Sequence, residues 1–148
     1  MFREKIDFSE IDALVIGPGL GFSQTARQRL NEALDLQIPL IIDADALTMI
    51  AQDSELMSKT AQRSAHTVLT PHPGEAARLL KTTVKDVQSD RVMRAQEISV
   101  LTGTVTVLKG NGTVIAQKSG ITWINPTGTA GLATAGSGDV LCGMIGAM

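Results

Sequence analysis

The segment that most restricts the fold is Leu40-Ile-Ile42, apolar at every position, entered through Pro39 and running directly into Asp43-Ala-Asp45. A strand with no polar face is buried on both sides, as central strands of parallel sheets are. Two further runs, Ala13-Leu-Val-Ile16 and Thr67-Val-Leu-Thr70, have the same texture, and amphipathic stretches separate the three. Strand and helix patterns in alternation make βα units, so an α/β fold with helices layered on a largely parallel sheet is expected. Asp43 and Asp45 then fall at a strand's C-terminal end, the edge where such folds bind ligands.

Helices follow from the intervening pattern. Ser23 is placed to cap one running to about Leu36, and Asp45 to cap a second from Ala46 to Ala51. The turn Pro71-His-Pro-Gly74 precedes a short helix from Glu75 to Leu80, and a longer one is expected from Val87 to Leu101. Lys59 falls in what reads as a polar linker, and His66 in a solvated loop. From Val105 three close strands are expected, divided by the hairpin-type turns Asn111-Gly112 and Ser119-Gly120. A small-residue loop ending at Asp139 then opens a helix continuing Val140-Leu-Cys-Gly-Met-Ile. That helix is apolar nearly all round, which demands burial. Trp123 and the methionines are expected in core or interface, and Cys142 as a small buried hydrophobe.

Composition narrows the partners. A chain of 148 residues, 43% hydrophobic and 19% charged, has the length of a single domain and enough apolar content for a core. A formal charge of -2 without a basic run argues against nucleic acid or a membrane surface, leaving a small molecule as the partner. The single cysteine leaves no internal disulfide or cysteine-based zinc site and suits a reducing compartment, so a cytoplasmic location is expected. The start, Met1 to Phe8, has no long apolar stretch, and no apolar run reaches the roughly eighteen residues of a membrane span.

The candidate chemistry centres on Gly136-Ser-Gly-Asp139 at the helix start. Glycines admit close backbone approach, and the first amides of a helix bind anions, so Gly136, Ser137 and Gly138 form a candidate phosphate loop. Asp139 would stand beside the phosphoryl group, able to take a proton from an attacking hydroxyl. The competing reading is a tight turn with a favourable helix-start acid. Lys109-Gly-Asn-Gly-Thr113 offers a cation, exposed amides and a hydroxyl to a nucleotide, or is a plain hairpin turn. His72, held between two prolines, is a candidate ligand contact. Gly17-Pro-Gly-Leu-Gly21 would let a bulky ligand approach the backbone. Asp43 and Asp45 are weak candidates for Mg²⁺, with helix capping as the alternative.

Taken in order, Val15-Ile-Gly-Pro-Gly-Leu-Gly21, Ile42-Asp-Ala-Asp-Ala-Leu47, Leu69-Thr-Pro-His-Pro-Gly-Glu-Ala76, Val107-Leu-Lys-Gly-Asn-Gly-Thr-Val114 and Ala135-Gly-Ser-Gly-Asp-Val-Leu-Cys-Gly143 resemble the ADP-dependent NAD(P)H-hydrate dehydratase family. Thr-Pro-His-Pro-Gly-Glu in particular separates that family from sugar and vitamin kinases of the same fold. The resemblance implies a ribokinase-like layered αβα fold, incomplete in this chain, with residues 1–148 as a single truncated domain. It implies repair of hydrated nicotinamide cofactor: a lyase that uses ADP (or ATP) and Mg²⁺ to remove water from S-NADHX or S-NADPHX, giving NADH or NADPH with AMP and phosphate. By that resemblance Gly19, His72 and Asp139 contact the hydrated cofactor, while Lys109, Gly110, Asn111, Gly112, Thr113 and Gly138 hold the nucleotide.

The pattern departs from the family in two places. Ala135 and Ser137 stand where Gly and Thr or Met are usual, and Gly128-Thr-Ala-Gly-Leu132 replaces Gly-Asn-Pro-Gly-Met. The family's N-terminal βα portion and the helices after Met148 are also missing. Oligomerisation could cover the surfaces this leaves, and a homo-oligomer is expected. The remaining readings are a ribokinase-like kinase for a sugar or vitamin precursor, and an inactive nucleotide-binding fragment.

Overall fold

A computed structural model of the chain describes residues 11–129, 131 and 134–148. At its centre the run Leu40–Ile42 forms β2, buried at every position. It pairs in parallel with β1 (Leu14–Ile16) on one side and β3 (Thr67–Leu69) on the other, and β3 pairs in parallel with β4 (Val105–Leu108). Strands β5 (Thr113–Ala116) and β6 (Thr122–Asn125) follow as an antiparallel meander, so the six-stranded sheet runs in order from β1 to β6. Gly112 at φ +68 and Gly120 at φ +90 make the two turns of that meander, as their sequence predicts.

The helices are α1 (Gln24–Asp35), α2 (Ala44–Gln52), α3 (Ser54–Ala61), α4 (Pro73–Leu79), α5 (Val84–Ser89), α6 (Arg91–Thr102) and α7 (Ser137–Gly146). Four parallel strands laid down in one direction, each joined by a right-handed crossover, place every crossover helix on the same face. Accordingly Leu40, Ile42 and Leu69 share a core with Leu30 of α1, Leu47 and Ile50 of α2, Leu56 of α3, Leu79 of α4, Val87 of α5 and Ile98 of α6. Side chains alternate across a strand, so Val15 and Ile41 point the other way, and α7 lies over them: a Cβ on Gly146 would meet Val15 Cγ2 at 3.1 Å and Ile41 Cδ1 at 3.5 Å.

Several expectations need correction. The helix expected over Val87 to Leu101 is two, because Asp90 leaves helical geometry and its carboxylate caps α6 through Met93 N at 2.9 Å. Lys59 lies in α3 and not in a linker: Asp53 caps that helix by accepting from Glu55 N and Leu56 N, while Lys59 binds Asn31 and Asp35 of α1. Asp45 is inside the first turn of α2, whose N-cap position is Asp43, so it is no cap. Trp123 is 49% exposed on β6, and α7 buries one flank only, with Cys142 enclosed while Val140 and Met144 are each 63% exposed. Met49 is in the core, whereas Met93 and Met148 are exposed.

Arg63 closes the C-terminal end of α1. Its guanidinium donates to the carbonyls of Leu34 at 2.6 Å, Leu36 at 2.9 Å and Ile38 at 2.8 Å, and burial depresses its pKa. A cation at a helix C-terminus meets both the dipole and the carbonyls left without intrahelical donors. Replacing Arg63 by Met strands those acceptors, and we expect a loss of about 2–4 kcal/mol in urea denaturation, with Arg63→Lys recovering only part. Wild-type stability in Arg63→Met would refute this account.

Candidate functional site

The C-terminal ends of β1 to β4 lie along one edge, and each carries a segment singled out from the sequence. After β1 the chain turns at Gly17, where φ is +128 and a Cβ would stand 1.7 Å from the Asp43 carbonyl oxygen, so only glycine fits. Asp43 N–H donates to Ile16 O at 3.0 Å, tying the two strand ends together. One residue further, Ala44 is held at φ 50, a left-handed conformation that costs an alanine roughly 1–2 kcal/mol.

Asp43 is buried, and its two oxygens are both engaged. Lys109 Nζ donates to Oδ1 at 2.7 Å, and Cys142 Sγ donates to Oδ2 at 3.2 Å. Burial pushes the Cys142 thiol up to about 11, so it stays protonated and serves as a donor; Thr70 Oγ1 lies 3.3 Å from the same sulfur. Cys142 is therefore buried as expected, but as part of a polar cluster. Gly138 closes it from above: a Cβ there would lie 3.4 Å from Lys109 Nζ and 3.7 Å from Asp43 Oδ2. The first turn of α7 thus rests on an ammonium and a carboxylate drawn from β4 and β2. Gly136 reaches that helix start in the left-handed region at φ +85, and Asp139 projects from the same turn, exposed.

The turn after β4 is pinned from below. Arg91 Nη2 donates to the carbonyls of Leu108 at 3.1 Å, Lys109 at 3.4 Å and Gly112 at 3.3 Å. Thr113 Oγ1 donates to Gly110 O at 3.1 Å, closing the turn on itself. On the opposite side Lys109 N–H donates to Pro71 O at 2.8 Å, joining this segment to the end of β3.

His72 is first of all a helix cap. Its Nδ1 accepts from Gly74 N at 2.9 Å and Glu75 N at 3.4 Å, while Glu75 Oε2 accepts from His72 N at 2.7 Å. The imidazole remains half exposed, with Nε2 3.4 Å from Glu75 Oε1. Burial raises the Glu75 pKa, against the pull of the His72 amide and the Lys109 charge. Gly19, at φ +63, sits on the exposed tip of the first loop with open space around it.

Sequence reasoning thus placed Asp43, Lys109 and Gly138 on one edge, and the structure brings these three into one cluster. It missed Thr70, Arg91 and the cap role of His72. Asp45 spends Oδ2 on Gly21 N–H at 2.8 Å and Asp43 is filled by Lys109 and Cys142, so neither stands ready for a metal. Among the described residues no three His, Cys, Asp or Glu side chains gather as a metal cage. Mg²⁺ fits this edge only as a companion of nucleotide phosphates, held mostly by phosphate and water oxygens. Ala130, Leu132 and Ala133, in the small-residue segment singled out from the sequence, and residues 1–10, which include the start Met1 to Phe8, lie outside the described residues.

A lysine, a paired carboxylate and a glycine-opened helix gather at the ends of parallel strands, and the fold that carries them is ribokinase-like. A ribokinase-like superfamily protein from Enterococcus faecalis matches with a TM-score of 0.75 and 33% identity over 91% of this chain and 46% of its own. The chain belongs to the NAD(P)H-hydrate dehydratase family, whose model matches residues 3–148. It is 47% identical over 138 residues to the bifunctional NAD(P)H-hydrate repair enzyme of Mycobacterium tuberculosis, covering 93% of this chain and 28% of that protein. It is 44% identical over 141 residues to the ADP-dependent (S)-NAD(P)H-hydrate dehydratase of Neisseria meningitidis, covering 94% of this chain and 47% of that one. The ADP/ATP-dependent NAD(P)H-hydrate dehydratase of Bacillus subtilis, co-crystallised with ATP/Mg2+, matches with a TM-score of 0.78 and 39% identity over 93% of this chain and 47% of its own. The chain therefore spans about half, or less, of the length of these relatives.

The raised Glu75 pKa carries a signed prediction. A carboxyl that holds its proton to higher pH in the folded state makes the protein lose stability as pH rises from the ordinary glutamate value through the folded one. Glu75→Gln removes that titration, so its stability relative to the parent should climb with pH across this window in urea melts. A flat or falling difference would show that burial does not govern Glu75.

Proposed function

We propose that the protein containing this chain dehydrates S-NADHX and S-NADPHX to NADH and NADPH, consuming ADP (or ATP) and releasing AMP and phosphate when ADP is used. The observation that carries this is the seating of Gly138 on Lys109 and Asp43, directly beside Asp139. A cation and helix-start amides there would stabilise charge on a transferring phosphoryl group. Asp139 takes the proton of the hydrate's ring hydroxyl, whose oxygen attacks the terminal phosphorus of ADP; AMP leaves with the bridging oxygen's electrons. Phosphate then departs with the carbon–oxygen pair as a neighbouring ring proton is lost, restoring the carbon–carbon double bond. Mg²⁺, brought with the nucleotide, would neutralise phosphate charge.

In this reading Gly136, Ser137 and Gly138 cradle the phosphoryl group, Lys109, Gly110, Asn111, Gly112 and Thr113 hold the nucleotide, and Gly19 and His72 contact the hydrate. Residues 1–148 act as one domain of a cytoplasmic protein. No helix among the described residues is long and apolar enough to cross a membrane. Self-association is part of the proposal, supported by the exposure of Trp123, Ile124, Val140 and Met144.

With the full-length gene product, absorbance of reduced nicotinamide should rise from S-NADHX only when ADP and Mg²⁺ are present. Phosphorylation of a sugar or vitamin precursor without that rise would replace the dehydratase by a kinase. Asp139→Asn should lower turnover by about 10²–10⁴-fold with the fold retained; single-turnover rates close to the parent's would make Asp139 merely a helix-start acid.

Gly138→Val is expected to weaken AMP binding in calorimetry, because the methyls branching from a Cβ that already stands 3.4 Å from Lys109 Nζ would crowd the ammonium and block close backbone approach. Lys59→Ala, on the α1–α3 contact, should leave binding unchanged. Parental AMP affinity in Gly138→Val would move the nucleotide elsewhere.

A further inference from the structure

We propose that Arg91 is a positioning residue for nucleotide binding: its guanidinium sets the peptide orientations of the Lys109–Thr113 turn. This rests on the reading of that turn as the nucleotide holder. Arg91 is the first residue of α6, where the helix dipole disfavours a cation, so local energetics do not explain it. Its Nε is buried with no hydrogen-bond partner among the described residues, and burial lowers its pKa. What holds it there is the turn. Nη1 binds Gln88 Oε1 at 3.0 Å, and Nη2 collects carbonyls from both ends of the turn, those of Leu108, Lys109 and Gly112.

Peptide planarity converts those bonds into amide directions, since in a trans peptide the N–H opposes the C=O. Leu108 C=O faces Arg91, and the following Lys109 N–H does point the other way, onto Pro71 O at 2.8 Å. By the same geometry Lys109 C=O on Arg91 turns the Gly110 N–H outward, at an exposed position. Gly110 also allows the guanidinium to lie flush: its φ is +144, and a Cβ would stand 2.8 Å from Arg91 Nη1. Arg91 touches no proposed ligand; it aims an amide that does, and it anchors the strand end from which Lys109 reaches Asp43.

The test uses the full-length protein with AMP as probe, in Arg91→Lys and Arg91→Met. Lysine keeps the charge but cannot reach three carbonyls, so it should fail to rescue and guards against a Met variant that does not fold. Both should bind AMP about tenfold or more weakly by calorimetry, the loss of roughly one charged hydrogen bond. Amide exchange at 109–113 should quicken, while the KM for S-NADHX stays unchanged. In the parent, AMP should slow exchange across 109–113. If it does, yet Arg91→Lys binds AMP like the parent, Arg91 has no positioning role and the turn's nucleotide role stands. If AMP leaves parental exchange at 109–113 unaltered, the nucleotide reading itself falls, and this inference with it.

Discussion

The Lys109–Asp43 ion pair is the contact on which the rest of the site depends. Asp43 is 2% exposed at its side chain and Lys109 is 20%, so both charges are largely removed from water and each needs the other. Removing one partner of such a pair leaves an uncompensated charge, at a cost of about 3–5 kcal/mol. Because Asp43 follows β2 and Lys109 follows β4, the pair reaches across the end of β3 and ties two strand ends together. Gly138 and Cys142 then dock on it, so the start of α7 is placed by electrostatics more than by apolar packing. The exposure of Val140 and Met144 on the same helix agrees with that division.

Each face of the sheet has a different task. The crossover helices bury the Leu40, Ile42 and Leu69 face and supply the stability, while α7 meets only the Val15 and Ile41 side. The site forms where the two meet, at the strand C-terminal ends, where Arg91 caps the carbonyls of the Lys109–Thr113 turn from the stable side; Arg63 does the same for the end of α1 on the opposite edge of the sheet. Both arginines act through carbonyls left over by ending elements, which is why neither lies in a recognisable motif.

What was legible in the sequence was whatever periodicity or a motif encodes. The all-apolar Leu40–Ile42 fixed a central strand, Ser23 fixed the start of α1, accepting from Ala26 N at 3.1 Å, and the two Gly turns fixed the meander. The resemblance located Lys109 and Gly138 before their contact was visible. Interactions between residues far apart in the chain had no local signature. Arg91 and Gly112, or Cys142 and Asp43, meet only through the fold. Asp90 misled because its neighbours keep helical periodicity on both sides while its own carboxylate prefers to cap. The opposite happened at α3: Asp53 caps it, yet a stretch as polar as Ser54–Ala61 reads as the linker expected around Lys59.

Several local rules are broken at the edge that carries the site, although Lys81, just past α4, is also held left-handed. Ala44 takes a left-handed conformation that a glycine would adopt freely, Arg91 opens a helix with the wrong charge, and Gly17 lets one backbone approach another more closely than any side chain would allow. Strain of this kind persists only where surrounding contacts over-determine it. The surrounding contacts are identifiable: Asp43 is locked by Ile16 O behind it and by Lys109 and Cys142 in front, and Ala44 inherits its dihedral from that grip. That same ion pair sets the lysine against the glycine-opened helix. Were the edge merely structural, glycine at position 44 would relieve the cost with nothing lost. An alanine held left-handed beside a fixed ion pair favours rigidity over stability, which the proposed phosphoryl-transfer role would use, since its donors would have to be in place before charge develops.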